Sequence, residues 1–215
     1  LDDVSPGLDG RCAQNGNLGS GRVIYVNGDQ AICPDNVSGR TATTLSNAVC
    51  KLEQAMPLAV AQARPVTFIR VLGMNGKNYL PLTNPIDTGR YIFIGAPGKN
   101  IATRAVVGTR ATTFRTEKSA NVTIDSFDIR ADIDNIQDLV SCRANGTTLP
   151  KLWIRDSVLR GANANGLTAN VNAIYGTDCH LRVTGTLIGV DSLSRAKTDP
   201  SHHTAIKYDR GVVAE

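Results

Sequence analysis

The chain has 215 residues, 41% of them hydrophobic and 20% charged, and its 23 basic and 19 acidic side chains leave a net charge of +4. That is enough chain to bury a core, in one large or two small domains, while no apolar run approaches the roughly 18–20 residues of a membrane span. The charge is mild and spread out with no basic run, which argues against nucleic acid as a partner. Aromatics at 5% beside 20 glycines favour many short strands and turns over a helical bundle.

Residues 1–21 read as an irregular N-terminal arm, and 22–215 as one domain. The chain begins with Leu1 rather than Met, so we expect a processed form or a piece of a longer polypeptide. RVIYVNG (22–28) reads as a strand. TTLSNAVCKLEQAM (43–56) reads as a helix, with Leu45, Ala48, Val49, Leu52 and Met56 on one apolar stripe and Pro57 ending or kinking it. RPVTFIRVLG (64–73) is a buried-type strand, followed by GKNYLPL (76–82). The five cysteines, Cys12, Cys33, Cys50, Cys142 and Cys179, form no CxxC and no metal spacing with histidine. Two disulfides and one leftover thiol in an exported chain are the simplest arithmetic.

A repeat follows. RYIFIGA (90–96), SANVTIDSFDIRA (119–131), LPKLWIRDSVLRG (149–161) and DCHLRVTGTLIGV (178–190) carry the aliphatic pairs Ile92/Ile94, Val122/Ile124, Leu152/Ile154 and Leu181/Val183, at spacings of 30, 30 and 29. A second column holds Phe114, Val140, Ile174 and Ile206, and a third patch Phe127/Ile129, Val158 and Leu187. A period near 30 with short strands and no recurring helix is the sign of a β-solenoid, in which stacked coils supply one another's core. A β-sandwich also has short strands and turns, but the near-equal spacings argue against it. Asn-Gly pairs such as Asn145-Gly146 and Asn165-Gly166 fit the turns. The expected fold is mainly β, a parallel β-helix of about five to six coils with an N-terminal capping α-helix over 43–56. The stretch TAIKYDRGVVAE reads as a further strand without a cap, so that end is expected to continue in a longer chain or to meet a partner or a second copy.

IYVNGD, CPDN, GRTATTLSNAVCKLEQA, VTFIRVLG, NYLPL and RYIFIGAPG together resemble the opening of right-handed parallel β-helix proteins of the pectin-lyase-like superfamily, in a branch of bacterial exported proteins and lipoproteins. The matching residues include Tyr25, Val26, Gly28, Cys33, Pro34, Cys50, Leu52, Ala55, Ile69, Val71, Gly73, Tyr79, Ile94, Gly95, Pro97 and Gly98. The resemblance covers about residues 22–210 and implies a right-handed, exported β-helix of one strand per sheet per coil. It also implies a Cys33–Cys50 disulfide; Cys142 and Cys179, placed by the repeat near equivalent corners of consecutive coils, are a second candidate pair. It does not imply one activity, since the superfamily holds lyases, hydrolases, esterases, tailspikes and proteins with no known chemistry.

The register makes Thr123, Trp153 and Arg182 one outward column on strands about 4.8 Å apart. The only tryptophan is then a stacking platform for a sugar ring, with Arg182 placed to grip a carboxylate or to sit on the indole; Arg155 lies nearby. Covering of the indole by a neighbouring loop is the plainer alternative. Asp125 is followed one coil later by Arg155, giving a structural ion pair, or by Asp156, giving two stacked carboxylates able to share Ca²⁺. Asp128 is a further acidic candidate. Asp132, Asp134 and Asp138 offer oxygen ligands in an acidic loop that lacks the glycine and closing Glu of a calcium hand. No resident cofactor is expected beyond such a Ca²⁺. Of the three histidines, His180, His202 and His203, the last two lie in TDPSHHT, which reads as a turn, and are taken as surface residues; no GxSxG elbow is present. We expect a non-catalytic extracellular or cell-surface module that binds a polysaccharide or another surface component. The alternatives are a Ca²⁺-dependent lyase or a hydrolase of acidic glycans, and a purely structural or protein-binding solenoid.

Overall fold

The computed structural model describes residues 22–30, 33, 36–37, 40–61, 65–73, 78–95, 105–109, 112–131, 138–161, 171–190, 203–208 and 211–213. Fifteen strands run through them: β1 (Arg22–Val26), β2 (Thr67–Val71), β3 (Arg90–Ile94), β4 (Ala105–Thr109), β5 (Phe114–Glu117), β6 (Asn121–Asp125), β7 (Phe127–Ala131), β8 (Asp138–Arg143), β9 (Lys151–Arg155), β10 (Val158–Gly161), β11 (Val171–Thr177), β12 (Cys179–Thr184), β13 (Leu187–Val190), β14 (His203–Tyr208) and β15 (Gly211–Val213). They form three sheets: sheet A in the order β1-β2-β3-β6-β9-β12-β15, sheet B β13-β10-β7-β4, and sheet C β14-β11-β8-β5. Every pairing between these strands is parallel. From β3 onward the chain visits A, B and C in turn, which is a parallel β-helix. Among the described residues four coils have a strand in all three sheets. An abbreviated fifth is made by β2 with the bridges Tyr79–Val107 and Ile86–Thr116.

Each coil contributes inward side chains to one continuous core, because one strand buries only half of its residues. The second column stands as expected: Phe114 pairs with Val140, Val140 with Ile174 and Ile174 with Ile206. In sheet A, Val122, Leu152 and Leu181 pair in sequence, as do Ile124, Ile154 and Val183. Two parts of the expected register are corrected. Tyr91 and Phe93, not Ile92 and Ile94, are the inward residues of β3, since they pair with Val122 and Ile124. Phe93 must point inward to reach Phe114, its ring centroid 5.0 Å away, and Phe114 in turn meets Phe127 at 5.8 Å. In sheet B, Val158 and Leu187 align with Asp128 rather than with Ile129, and Leu187 is 62% exposed. Leu159, fully buried, is the residue that pairs with Ile129.

The N-terminal cap differs from the expected helix over 43–56. Leu45–Asn47 form a single 3₁₀ turn, and Val49 forms a parallel bridge with Val26. The backbone of Val49 donates to Tyr25 O at 3.0 Å and accepts from Asn27 N at 2.7 Å, so it is held as an extra strand position. The α-helix, α1, is Leu52–Val60, and Pro57 lies inside it. It starts where the Gln54 side chain turns back to accept from the backbone N–H groups of Cys50 and Lys51, at 3.0 and 3.1 Å. Leu52, Ala55 and Ala59 bury against β1 and β2, which closes the N-terminal end of the core as expected. Arg22 ties that lid down through Leu58 O (2.7 Å) and Thr41 O (2.9 Å). The Cys33–Cys50 disulfide, Cα–Cα 5.6 Å, fastens the loop before the helix to its start.

The corner from sheet A to sheet B is made by one left-handed residue in three successive coils: Ser126 (φ 61°), Asp156 (φ 46°) and Gly185 (φ 56°). These follow Asp125, Arg155 and Thr184, which pair in register, so the corners stack. One coil earlier the place belongs to Gly95, where a Cβ would lie 2.1 Å from the Ser126 carbonyl oxygen.

Candidate functional site

Alternation on sheet A leaves two outward columns along its middle. One runs Val23, Phe68, Ile92, Thr123, Trp153 and Arg182, and the other Tyr25, Arg70, Ile94, Asp125, Arg155 and Thr184. The expected trio of Thr123, Trp153 and Arg182 is therefore adjacent, and Ile92 extends it because of the corrected register of β3. Phe68 and Ile92 are nonetheless buried, at 7% and 9% exposure. The face becomes accessible only toward β6, β9 and β12, where Thr123, Trp153 and Arg182 are half-buried.

Trp153 is held rather than loose. Its Nε1–H donates to Thr184 Oγ1 at 3.0 Å, so the polar edge of the indole is satisfied. The guanidinium carbon of Arg182 lies 4.5 Å from the ring centroid and that of Arg155 5.2 Å, a cation–π pair around one indole. Among the described residues the buried Nε of Arg182 has no hydrogen-bond partner and no carboxylate forms an ion pair with its guanidinium, which is positioned by the ring.

The register decides between the two alternatives for Asp125. It pairs with Arg155, and Asp156 falls on the next corner. Arg155 donates from Nε and Nη2 to Asp125 Oδ2 at 2.9 and 2.7 Å, and Ser126 Oγ donates to Oδ1 at 2.8 Å. With the Asp125 side chain 3% exposed and that of Arg155 15%, this is a buried, hydrogen-bonded ion pair. Both side chains, the carboxylate of a cation site and the basic group of a lyase, are committed to each other. Asp156 is exposed and beside Gly185, so Asp125 and Asp156 do not form the stacked carboxylate pair. Asp128 is on sheet B, where Arg130 Nη2 meets its Oδ2 at 2.6 Å. Of the acidic loop, Asp132 and Asp134 lie outside the described residues. Asp138 is buried in β8 with Arg143 Nη2 at 3.2 Å. Among the described residues no group of three His, Cys, Asp or Glu side chains is gathered as a metal site.

Outward positions of sheet A carry Arg70, Arg90, Lys151, Arg155 and Arg182 against the carboxylate of Asp125. This face thus concentrates the excess of basic residues that the whole chain shows only weakly. A second cation–aromatic pair escaped the sequence reading: Arg143 lies 4.6 Å from the Tyr175 ring centroid on sheet C. The signal was there, since Tyr175 follows inward Ile174 and pairs with Ser141, two residues before Arg143. Arg143 is already ion-paired to Asp138, so this pair holds less unspent charge than the one at Trp153.

A scan against protein-family models, a search of curated proteins and a search of solved structures each return no match to this chain.

Proposed function

We propose that this chain is a non-catalytic β-helix module of an exported protein that binds a glycan on the outer face of sheet A, centred on Trp153 and Arg182. The observation that carries the reading is the half-buried indole clasped by two guanidinium groups on a sheet face, with no carboxylate paired to Arg182 among the described residues. Rigid aromatic and arginine side chains are the usual anchors of a binding face, because little rotamer freedom remains to be lost. Placement in the pectin-lyase-like superfamily is supported by the parallel coils, the N-terminal helix and the motifs quoted above. Export is supported by the Cys33–Cys50 disulfide, which is stable in an oxidising compartment. The commitment of Asp125 and Arg155 to one another favours binding over lyase chemistry at this face.

The test is binding to a panel of neutral and acidic polysaccharides, with and without Ca²⁺, for the native chain and for Trp153→Ala and Arg182→Ala. Each variant is expected to weaken binding about tenfold or more, the effect of removing one anchor of roughly 1.5 kcal/mol. Calcium-dependent release of unsaturated uronate would replace this reading with a lyase. Equal binding by the native chain and both variants would move the site elsewhere, and no binding to any glycan would leave a structural or protein-binding solenoid.

A further inference from the structure

Cys142 and Cys179 come from different sheets and meet in the core. Cys142 is an inward residue of β8, in the column Ile86, Thr116, Cys142, Gly176. At Gly176 the next coil has no side chain to set beside it. Two residues later the chain turns through Asp178 (φ 46°) and Cys179 enters β12, directed inward like Leu181. Both are thiols in the structure, both are fully buried, and the strands that carry them, β8 and β12, pack against each other. Glycine on one strand and a sharp corner before the other thus bring together two sulfurs 37 residues apart (179 − 142).

We infer that Cys142 and Cys179 close a second disulfide, and that they do so only while the chain is folding. The loop before the helix shows that the chain carries one disulfide already. Closing the second requires a disulfide oxidant, such as oxidised glutathione. One cysteine thiolate attacks it and expels a glutathione thiolate. The other cysteine then displaces the second glutathione, so two protein thiols are oxidised and one glutathione disulfide is reduced to two thiols. In the unfolded chain both sulfurs are accessible and ionise normally. In the folded protein no oxidant reaches them, and burial and the neighbouring Cys179 push the Cys142 thiol far above its ordinary range, which removes the reactive thiolate. Cys33 is exposed, so its bond with Cys50 closes before or after folding.

The experiment refolds the native chain in two ways: from denaturant in a glutathione redox buffer, and in reductant followed by oxidised glutathione once folded. Five cysteines leave one thiol after two disulfides (5 − 4) and three after one (5 − 2). The first product is expected to titrate one thiol after denaturation and to yield a Cys142–Cys179 linked peptide. The second is expected to titrate three and to melt roughly 10 °C lower. The double variant Cys142→Ala/Cys179→Ala is expected to titrate one thiol by either route, with no difference in melting. Three thiols by both routes, or a bond from Cys12 to either sulfur, would overturn the second disulfide. One thiol by both routes would overturn its restriction to folding.

Discussion

Tyr79 shows how one side chain joins the cap to the first coils. It is 2% exposed and bridges to Val107, its hydroxyl donating to Leu72 O at 2.7 Å and accepting from Gly28 N at 3.0 Å. Burial raises its pKa from 10 to about 12, and burial raises that of Tyr91 as well. Between those values the unfolded chain loses the phenolic proton and the folded chain keeps it, so the folded form binds more protons and stability falls as pH rises. We expect full stability from this group below pH 10 and a loss of about 2 kcal/mol on going to pH 12, read by urea denaturation across that range. Tyr79→Phe should cost about 1–2 kcal/mol at neutral pH and flatten that alkaline slope. At this scale the sequence told part of the story. The neighbours of Trp153 were readable from alternation, because Leu152 and Ile154 are unambiguous inward residues. The fate of Asp125 was not, since a single corner residue decides between Arg155 and Asp156. That residue, Ser126, adopts a left-handed conformation that an ordinary side chain does not announce.

Elements were legible where polar and apolar residues alternate cleanly and illegible where they do not. In RYIFI four apolar residues follow one another, so period two fits either face, and only the aromatic contact between Phe93 and Phe114 fixes the register. The apolar stripe from Leu45 to Met56 suits a helix equally well on paper. Val49 is instead drawn into the strand edge offered by Tyr25 and Asn27, which leaves only Leu52 onward free to coil. Pro57 then sits in a helix interior, where it removes the N–H that would bond to the Glu53 carbonyl. Its side chain is exposed, so replacing it disturbs little packing. Pro57→Ala is expected to stabilise the protein by about 1 kcal/mol, the restored helix bond being partly offset by a freer unfolded chain, and to raise the melting temperature by roughly 3 °C. A lower melting point would mean that the proline sets the angle at which α1 meets β1.

A solenoid has no single centre, since each coil is stabilised by the two beside it. The aromatic run Phe93–Phe114–Phe127 crosses all three sheets and two coils, which makes it the closest approach to one. Phe114→Ala should cost about 3–5 kcal/mol. Because the neighbours are local, we expect its urea transition to split, with Trp153 fluorescence and far-ultraviolet circular dichroism no longer coincident. Coincident transitions would show the coils to be one cooperative unit. The stacked corners at Ser126, Asp156 and Gly185 set a further limit on such a molecule. One or two residues join sheet A to sheet B there, whereas six, nine and twelve separate the ends of β7, β10 and β13 from the starts of β8, β11 and β14 (132–137, 162–170, 191–202). A foreign peptide inserted at the first kind of corner would turn every following side chain to the wrong face. Spliced between β7 and β8, β10 and β11 or β13 and β14, it would leave the short corners and the paired strands intact, so each coil is expected to carry its own epitope or enzyme.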